Sequence, residues 1–137
     1  MKPRITILAI LCCIACSNFT CSNWEQTTYA TLASAKSTID CASAGYNHND
    51  AQITQYCQGV TTPSTMYLPQ TAEVHDVLQK AGQAKDLAVN AMITYEASKN
   101  AAGSPNQATL QASVDTAVGA LSADVAEIVA LLKNGGK

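Results

Sequence analysis

The feature that most constrains this 137-residue chain is an apolar repeat in its C-terminal half. In two long segments, apolar residues recur in steps of three and four, which places them on one face of an α-helix. They are Val74, Val77, Ala81, Ala84, Ala88, Ala91 and Tyr95 in the first segment, and Leu110, Val114, Val118, Leu121, Val125, Ile128 and Leu132 in the second. Nowhere do polar and apolar residues alternate over the length of a strand. The pattern therefore predicts an all-α fold.

An earlier helix is predicted from Ser22 to Ala44. Ser22 and Glu25 have the spacing of a capping box, and Gly45 supplies the left-handed residue that commonly ends a helix. One face of this helix is predicted to be buried; its members are Thr28, Leu32, Ala35, Ile39, Ala42 and Tyr46.

The two later helices also have start and stop signals. Thr71 is the predicted cap of the second helix, which Gly103 closes. Ser104 is the predicted cap of the third helix, with Pro105 at its first position, and Asn134 with the two glycines after it ends that helix.

The lengths of the connections predict how the helices pack. Because the second and third helices are joined by a short connection, they must be antiparallel neighbours, and the simplest arrangement is an up-down-up three-helix bundle over residues 22–134 with a frayed tail at 135–137. The connection from Tyr46 to Leu68 is too long to be structureless in a compact domain. We predict a short helix there, capped by Asn49 or Asp50 and ended by Gly59.

Cysteine spacing predicts a disulfide that pins this insert. Cys21 and Cys41 are separated by mostly helical chain, hence by roughly 30 Å, which is too far for a disulfide. Cys41 lies about 160° around the helix from Ile39, on its outer face. We therefore predict a Cys41–Cys57 bond, which would contribute on the order of 3 kcal/mol by closing a loop of about 16 residues. Cys21 is left without a predicted partner.

The N-terminus has the form of an export signal. Lys2 and Arg4 precede an apolar run that ends at Cys16 and, at about a dozen residues, is too short to span a bilayer. Residues 1–15 are the predicted signal peptide and residues 16–21 a short tether. Cleavage after Ser17 is the alternative, because Ala15 and Ser17 form a small-x-small site.

Three short segments connect the chain to a known group of proteins. Ala15-Cys16 resembles the end of a bacterial lipoprotein signal, in which a small residue precedes the lipid-modified cysteine. With the segments Thr28–Ala33 and Ala91–Glu96, the mature chain is similar to small, alanine-rich helical bacterial lipoproteins of unknown function. The resemblance implies lipid on Cys16 and a helical fold, but no activity. The cysteine-bearing insert departs from the shorter connection expected in that group.

Charge excludes one class of partner. Lys2 and Arg4 leave with the signal, so six of the eight basic residues remain against ten acidic residues, a net charge of minus four. Nucleic acids require clustered Lys and Arg, so no nucleic-acid partner is expected.

No catalytic, cofactor or metal motif stands out. His48 and Asp50 could join in a metal site, but their run is more economically a turn followed by a helix cap. His75 is expected in solvent. Lys85 lies close to an apolar face, where it either pairs with Asp124 or sends its amine to water.

Five residues form a candidate binding surface at the end of the bundle far from the lipid: Tyr46, Tyr56, Met66, Tyr67 and Leu68. The alternative is that they only seal that end. We expect a non-enzymatic envelope lipoprotein, with its domain in the periplasm or outside the cell, that presents a helical bundle for binding or scaffolding. A self-associating envelope spacer and a small hydrolase with an unrecognised site are the alternatives.

Overall fold

The computed structural model describes residues 23–60, 67–99, 101 and 106–134. They form four helices: α1 (Asn23–Tyr46), α2 (Asp50–Tyr56), α3 (Ala72–Lys99) and α4 (Gln107–Lys133). No strand occurs in these ranges, so the all-α prediction is confirmed. The chain divides into two compact units between Thr31 and Leu32, within α1. The proposed cap Ser22 lies outside the described residues.

The first unit contains the opening turns of α1. Glu25 and Thr28 are buried there, and the Thr28 hydroxyl donates to the Trp24 carbonyl oxygen at 2.9 Å. Thr28 therefore satisfies its hydroxyl within its own helix, as a threonine in a helix interior commonly does.

In the second unit, α1 has the predicted buried face. Leu32, Ala35, Ile39 and Ala42 are all buried, at steps of three and four. The predicted stop was wrong: α1 continues through Gly45 to Tyr46, and the left-handed residue is His48, with φ 50°. Gly45 stays helical, and its carbonyl oxygen accepts from the backbone N–H groups of His48 and Leu68.

Helix α3 begins as predicted but buries a slightly rotated face. The Thr71 hydroxyl oxygen accepts from Val74 N at 3.3 Å, as a cap does. The buried side chains are Val74, Leu78, Ala81, Ala88, Met92, Tyr95 and Ser98, whereas Val77, Ala84 and Ala91 are half-buried. Lys85 follows Ala81 by four residues and precedes Ala88 by three, so it lies on the same face of α3. It is the one charged residue between them on that face.

Helix α4 begins with Asn106 as its cap, whose side chain accepts from Ala108 N at 3.0 Å. The predicted cap, Ser104, was therefore two residues too early, because the helix starts at Gln107 rather than at Pro105; Ser104 itself lies outside the described residues. The buried residues of α4 are Val114, Leu121, Asp124, Ile128 and Leu132.

Helices α3 and α4 pack against each other as a hairpin. Lys80, early in α3, reaches Asp124 and Glu127, late in α4, so the two helices are antiparallel. The alternative of a Lys85–Asp124 pair was wrong. The Lys85 ammonium instead lies 3.2 Å from Asp86, and its side chain is about one-quarter exposed, at 28%.

Candidate interaction surface

The insert between α1 and α3 folds around the short helix α2. His48 makes the left-handed turn after α1, and Asn49 N donates to the Ala44 carbonyl oxygen at 3.1 Å. The Asn49 side chain accepts from Gln52 N at 3.1 Å, which satisfies an N–H group that has no partner within the helix. Cys57 ends α2, and Gly59 follows with φ 84°. The predicted cap Asn49 is confirmed. The predicted end was too late: the helix stops at Tyr56 rather than at Gln58, although Gly59 does adopt the left-handed conformation.

The predicted disulfide is also confirmed. Cys41 and Cys57 are bonded, with their Cα atoms 4.8 Å apart. Both cysteines are buried in a cluster with Ala44 and Ile53, and Tyr56 packs against it. Cys41 therefore does face away from the Leu32–Ile39 stripe, yet it is only 1% exposed because α2 covers it.

The segment after the insert is tied to the C-terminal end of α1. Leu68 N donates to the Gly45 carbonyl oxygen at 3.2 Å, and the Gln70 amide donates to the Tyr46 carbonyl oxygen at 2.9 Å. These bonds satisfy carbonyl groups that a helix end leaves without partners. The Tyr46 ring also lies 6.0 Å from the ring of His75, in the first turn of α3.

His48 connects the turn to the same segment. Its Nε2 atom lies 3.0 Å from the Leu68 carbonyl oxygen. Because a carbonyl oxygen only accepts, Nε2 must carry the proton in this contact. The imidazole also meets the Tyr67 ring edge to face, with ring centroids 5.1 Å apart, a favoured arrangement for aromatic pairs.

Tyr67 completes the arrangement. Its hydroxyl donates to Oδ1 of Asp50, the first residue of α2. That hydrogen bond, and then the negative charge of Asp50, raise the pKa of the Tyr67 phenol above its ordinary value. We call His48, Asp50 and Tyr67 the insert patch. All three residues are exposed, and Tyr67 keeps 49% of its surface in solvent.

The structure separates the five residues of the predicted binding surface. Tyr67 is exposed, and Tyr46 and Tyr56 are half-buried. Leu68 is only 1% exposed and is part of the core, and its backbone N–H donates to the Gly45 carbonyl oxygen. Met66 lies outside the described residues, as do Cys16 and Cys21.

Sequence reasoning missed His48 and Asp50 as surface residues. Their run of Asn and Asp was correctly interpreted as a turn and a helix cap, but such a run does not show that Tyr67 returns to it from 17 residues away. That contact depends on the path of the connection, which has no periodic signal.

Two kinds of feature are absent from the described residues. Within these ranges, no three His, Cys, Asp or Glu side chains come together as metal ligands would. Among the helices that the structure describes, none is long and apolar enough to cross a membrane.

Comparison with known proteins returned nothing: no family model, no curated protein and no solved structure matches the chain.

Proposed function

We propose that the protein is a non-enzymatic envelope lipoprotein, held to a membrane by lipid on Cys16, that presents its helical domain to a protein partner. The observation that carries the proposal is the Cys41–Cys57 disulfide. Disulfides form and persist in oxidising compartments outside the cytosol, which agrees with the export signal predicted at residues 1–15. The bond thus supports export by an argument that does not use the N-terminal residues.

We propose further that α1 is the third member of an up-down-up bundle with α3 and α4. The buried face from Leu32 to Ala42 requires a packing partner, since apolar side chains gain little until they leave water. The ring contact of Tyr46 with His75 supports this arrangement, because it brings the C-terminal end of α1 to the first turn of α3.

The insert patch is the proposed contact surface. It follows α1 in the sequence, whereas the proposed lipid-bearing Cys16 precedes α1. An exposed tyrosine such as Tyr67 is typical of surfaces that bind proteins, because tyrosine supplies contact area at little entropic cost.

A pull-down from the native envelope tests this proposal. Epitope-tagged wild-type protein and the variants Tyr67→Ala and Leu87→Ala are cross-linked in intact cells and recovered from detergent extracts. Leu87 is the matched control, because its side chain is 66% exposed and lies on α3, outside the insert patch. We expect a partner whose recovery falls at least about tenfold with Tyr67→Ala and is unchanged with Leu87→Ala.

Two outcomes would contradict the proposal. Equal recovery with both variants would remove the insert patch from the interaction. If only the protein itself were recovered, and light scattering of the purified domain showed an oligomer, the protein would be a self-associating spacer. Fractionation of the same cells would test the anchor, because the proposal requires the protein in the membrane fraction and its release by Cys16→Ala.

A further inference from the structure

We infer that the Cys41–Cys57 disulfide is a latch: its reduction by a dithiol unfolds α2 and disassembles the insert patch, while the α3–α4 hairpin stays folded. This inference depends on the contacts of the insert alone. It holds whether or not the patch binds a partner.

The first observation is how little holds α2 besides the bond. The buried cluster around it has four members, of which two, Cys41 and Cys57, form the disulfide and two are Ala44 and Ile53. The partly buried Tyr56 and Val60 pack against it. Ile53 is the one buried side chain that α2 contributes between its ends. The covalent bond is therefore a large share of what keeps the insert in place.

The second observation is the length of α2. It has seven residues, and an isolated helix shorter than about 12 to 15 residues is marginal in water. The Asn49 cap is local and moves with the helix. The bond closes a loop with a sequence separation of 16, and opening such a loop returns conformational freedom that favours the unfolded insert by roughly a hundredfold.

The third observation is that the insert patch depends on α2. Asp50 is the first residue of α2, and His48 makes the turn before it. Tyr67 contacts both residues, through its hydroxyl and through its ring. When α2 unfolds, Tyr67 loses both contacts. The insert patch therefore exists only while the disulfide is intact.

The hairpin has its own supports. Leu121 and Ile128 of α4 are fully buried, and the Lys80 ammonium of α3 lies 2.9 Å from Asp124 of α4. None of these residues belongs to the cluster around the disulfide. Loss of the insert therefore leaves the α3–α4 contacts in place.

The chemistry is thiol–disulfide exchange with a dithiol. One thiolate of the reductant attacks the sulfur of Cys57, which is 5% exposed against 1% for Cys41, and forms a mixed disulfide. The Cys41 sulfur leaves as a thiolate and takes up a proton. The second reductant thiol then displaces Cys57, so the dithiol is oxidised to a disulfide and the protein gains two thiols. Because both sulfurs are buried, attack must follow a local opening of α2.

Hydrogen exchange on the full chain tests the inference. The protein is kept in a mild detergent and compared before and after treatment with dithiothreitol, with intact mass confirming that the bond is open. We expect the amides of α2 to exchange roughly a hundredfold faster after reduction and those around Leu121 to keep their rates. The pKa of Tyr67 should also return toward its ordinary value, since its bond to Asp50 is lost.

The double variant Cys41→Ala/Cys57→Ala serves as the second measurement. Without reductant, it should show the fast α2 exchange of the reduced protein, and dithiothreitol should change it no further. If the α2 amides exchanged at an unchanged rate in protein whose disulfide is reduced, the inference would be overturned. Equally faster amide exchange in α2 and α4, in either the reduced protein or the variant, would also overturn it, because the bond would then stabilise the whole domain.

Discussion

The Lys80 ammonium lies 2.9 Å from Oδ1 of Asp124, and this contact joins α3 to α4. Asp124 is only 7% exposed and lies among the buried residues of α4, whereas the Lys80 side chain is 63% exposed. A buried carboxylate is costly unless a charge or hydrogen bond compensates it. Lys80 therefore favours the one alignment of the two helices that brings its amine to Asp124.

Lys80→Met should reduce stability in a pH-dependent manner. The hydrogen bond to Asp124, then the charges of Asp124 and Glu127, raise the pKa of Lys80 above its ordinary value of 10.5. Folding therefore favours the protonated amine. The contribution of Lys80 is complete below the unfolded pKa and is lost as pH rises through the higher folded pKa. In urea denaturation, the free energy of unfolding of the variant should be lower than that of the wild type at pH 7. This difference should disappear above pH 10.5.

Lys133→Met is the control for this experiment. Lys133 is exposed in the last turn of α4 and takes part in no contact between helices that the structure records. The free energy of unfolding of Lys133→Met should differ little from that of the wild type at both pH values. If the difference in free energy of unfolding between Lys80→Met and wild type persisted unchanged at high pH, the lysine would act through its apolar stem rather than through its charge.

Leu121→Ala should destabilise the domain by about 2 to 5 kcal/mol, because Leu121 is fully buried and the truncation leaves a cavity. Leu87→Ala makes the same chemical change on α3, where the side chain is 66% exposed, and should cost less than about 0.5 kcal/mol. Chemical denaturation measures both variants. Equal denaturation midpoints for the two variants would contradict the burial of Leu121 and the exposure of Leu87.

Lys85→Met should raise the free energy of unfolding by about 0.5 to 1 kcal/mol. Lys85 lies between the fully buried Ala81 and Ala88, so methionine keeps the apolar stem in the seam without a charge to hydrate. Lys85→Ala removes the stem as well and should lower stability. Thermal unfolding of the pair measures both effects, and stabilisation by alanine would rule out packing of the stem.

Asp50→Ala should lower the pKa of Tyr67 toward its ordinary value of 10.0, because the hydrogen bond to Asp50 is the main cause of the shift. NMR titration of tyrosine ring carbons measures this, and Tyr67→Phe identifies the signal among the five tyrosines. A Tyr67 pKa unaffected by Asp50→Ala would contradict the contact.

The helices were predictable because each has a local signal. Apolar spacing correctly predicted four buried positions of α3, namely Val74, Ala81, Ala88 and Tyr95. It could not by itself choose between Val77 and Leu78, which are both apolar, and the predicted face took Val77. Packing against α4 makes that choice, and it buries Leu78 rather than Val77.

The ends of helices and the insert show where local signals stop. Asn49 and Gly59 were recognised because a cap and a left-handed glycine act over a few residues. Gly45 was mistaken for a stop, because glycine is also tolerated inside a helix whose carbonyls gain partners, here from Leu68. The burial of Leu68 and the meeting of Tyr67 with Asp50 depend on contacts distant in sequence, which no spacing rule encodes.

The measurement that tests the central claim most directly is the intact mass of the protein extracted from the membrane of its native host, followed by non-reducing peptide mapping. The account predicts a chain that begins at Cys16, carries lipid on that residue and has Cys41 linked to Cys57. An unmodified N-terminus at Asn18, or a chain that retains Met1, would contradict the lipid anchor. Free thiols at both Cys41 and Cys57 would contradict the oxidising compartment on which the proposed function depends.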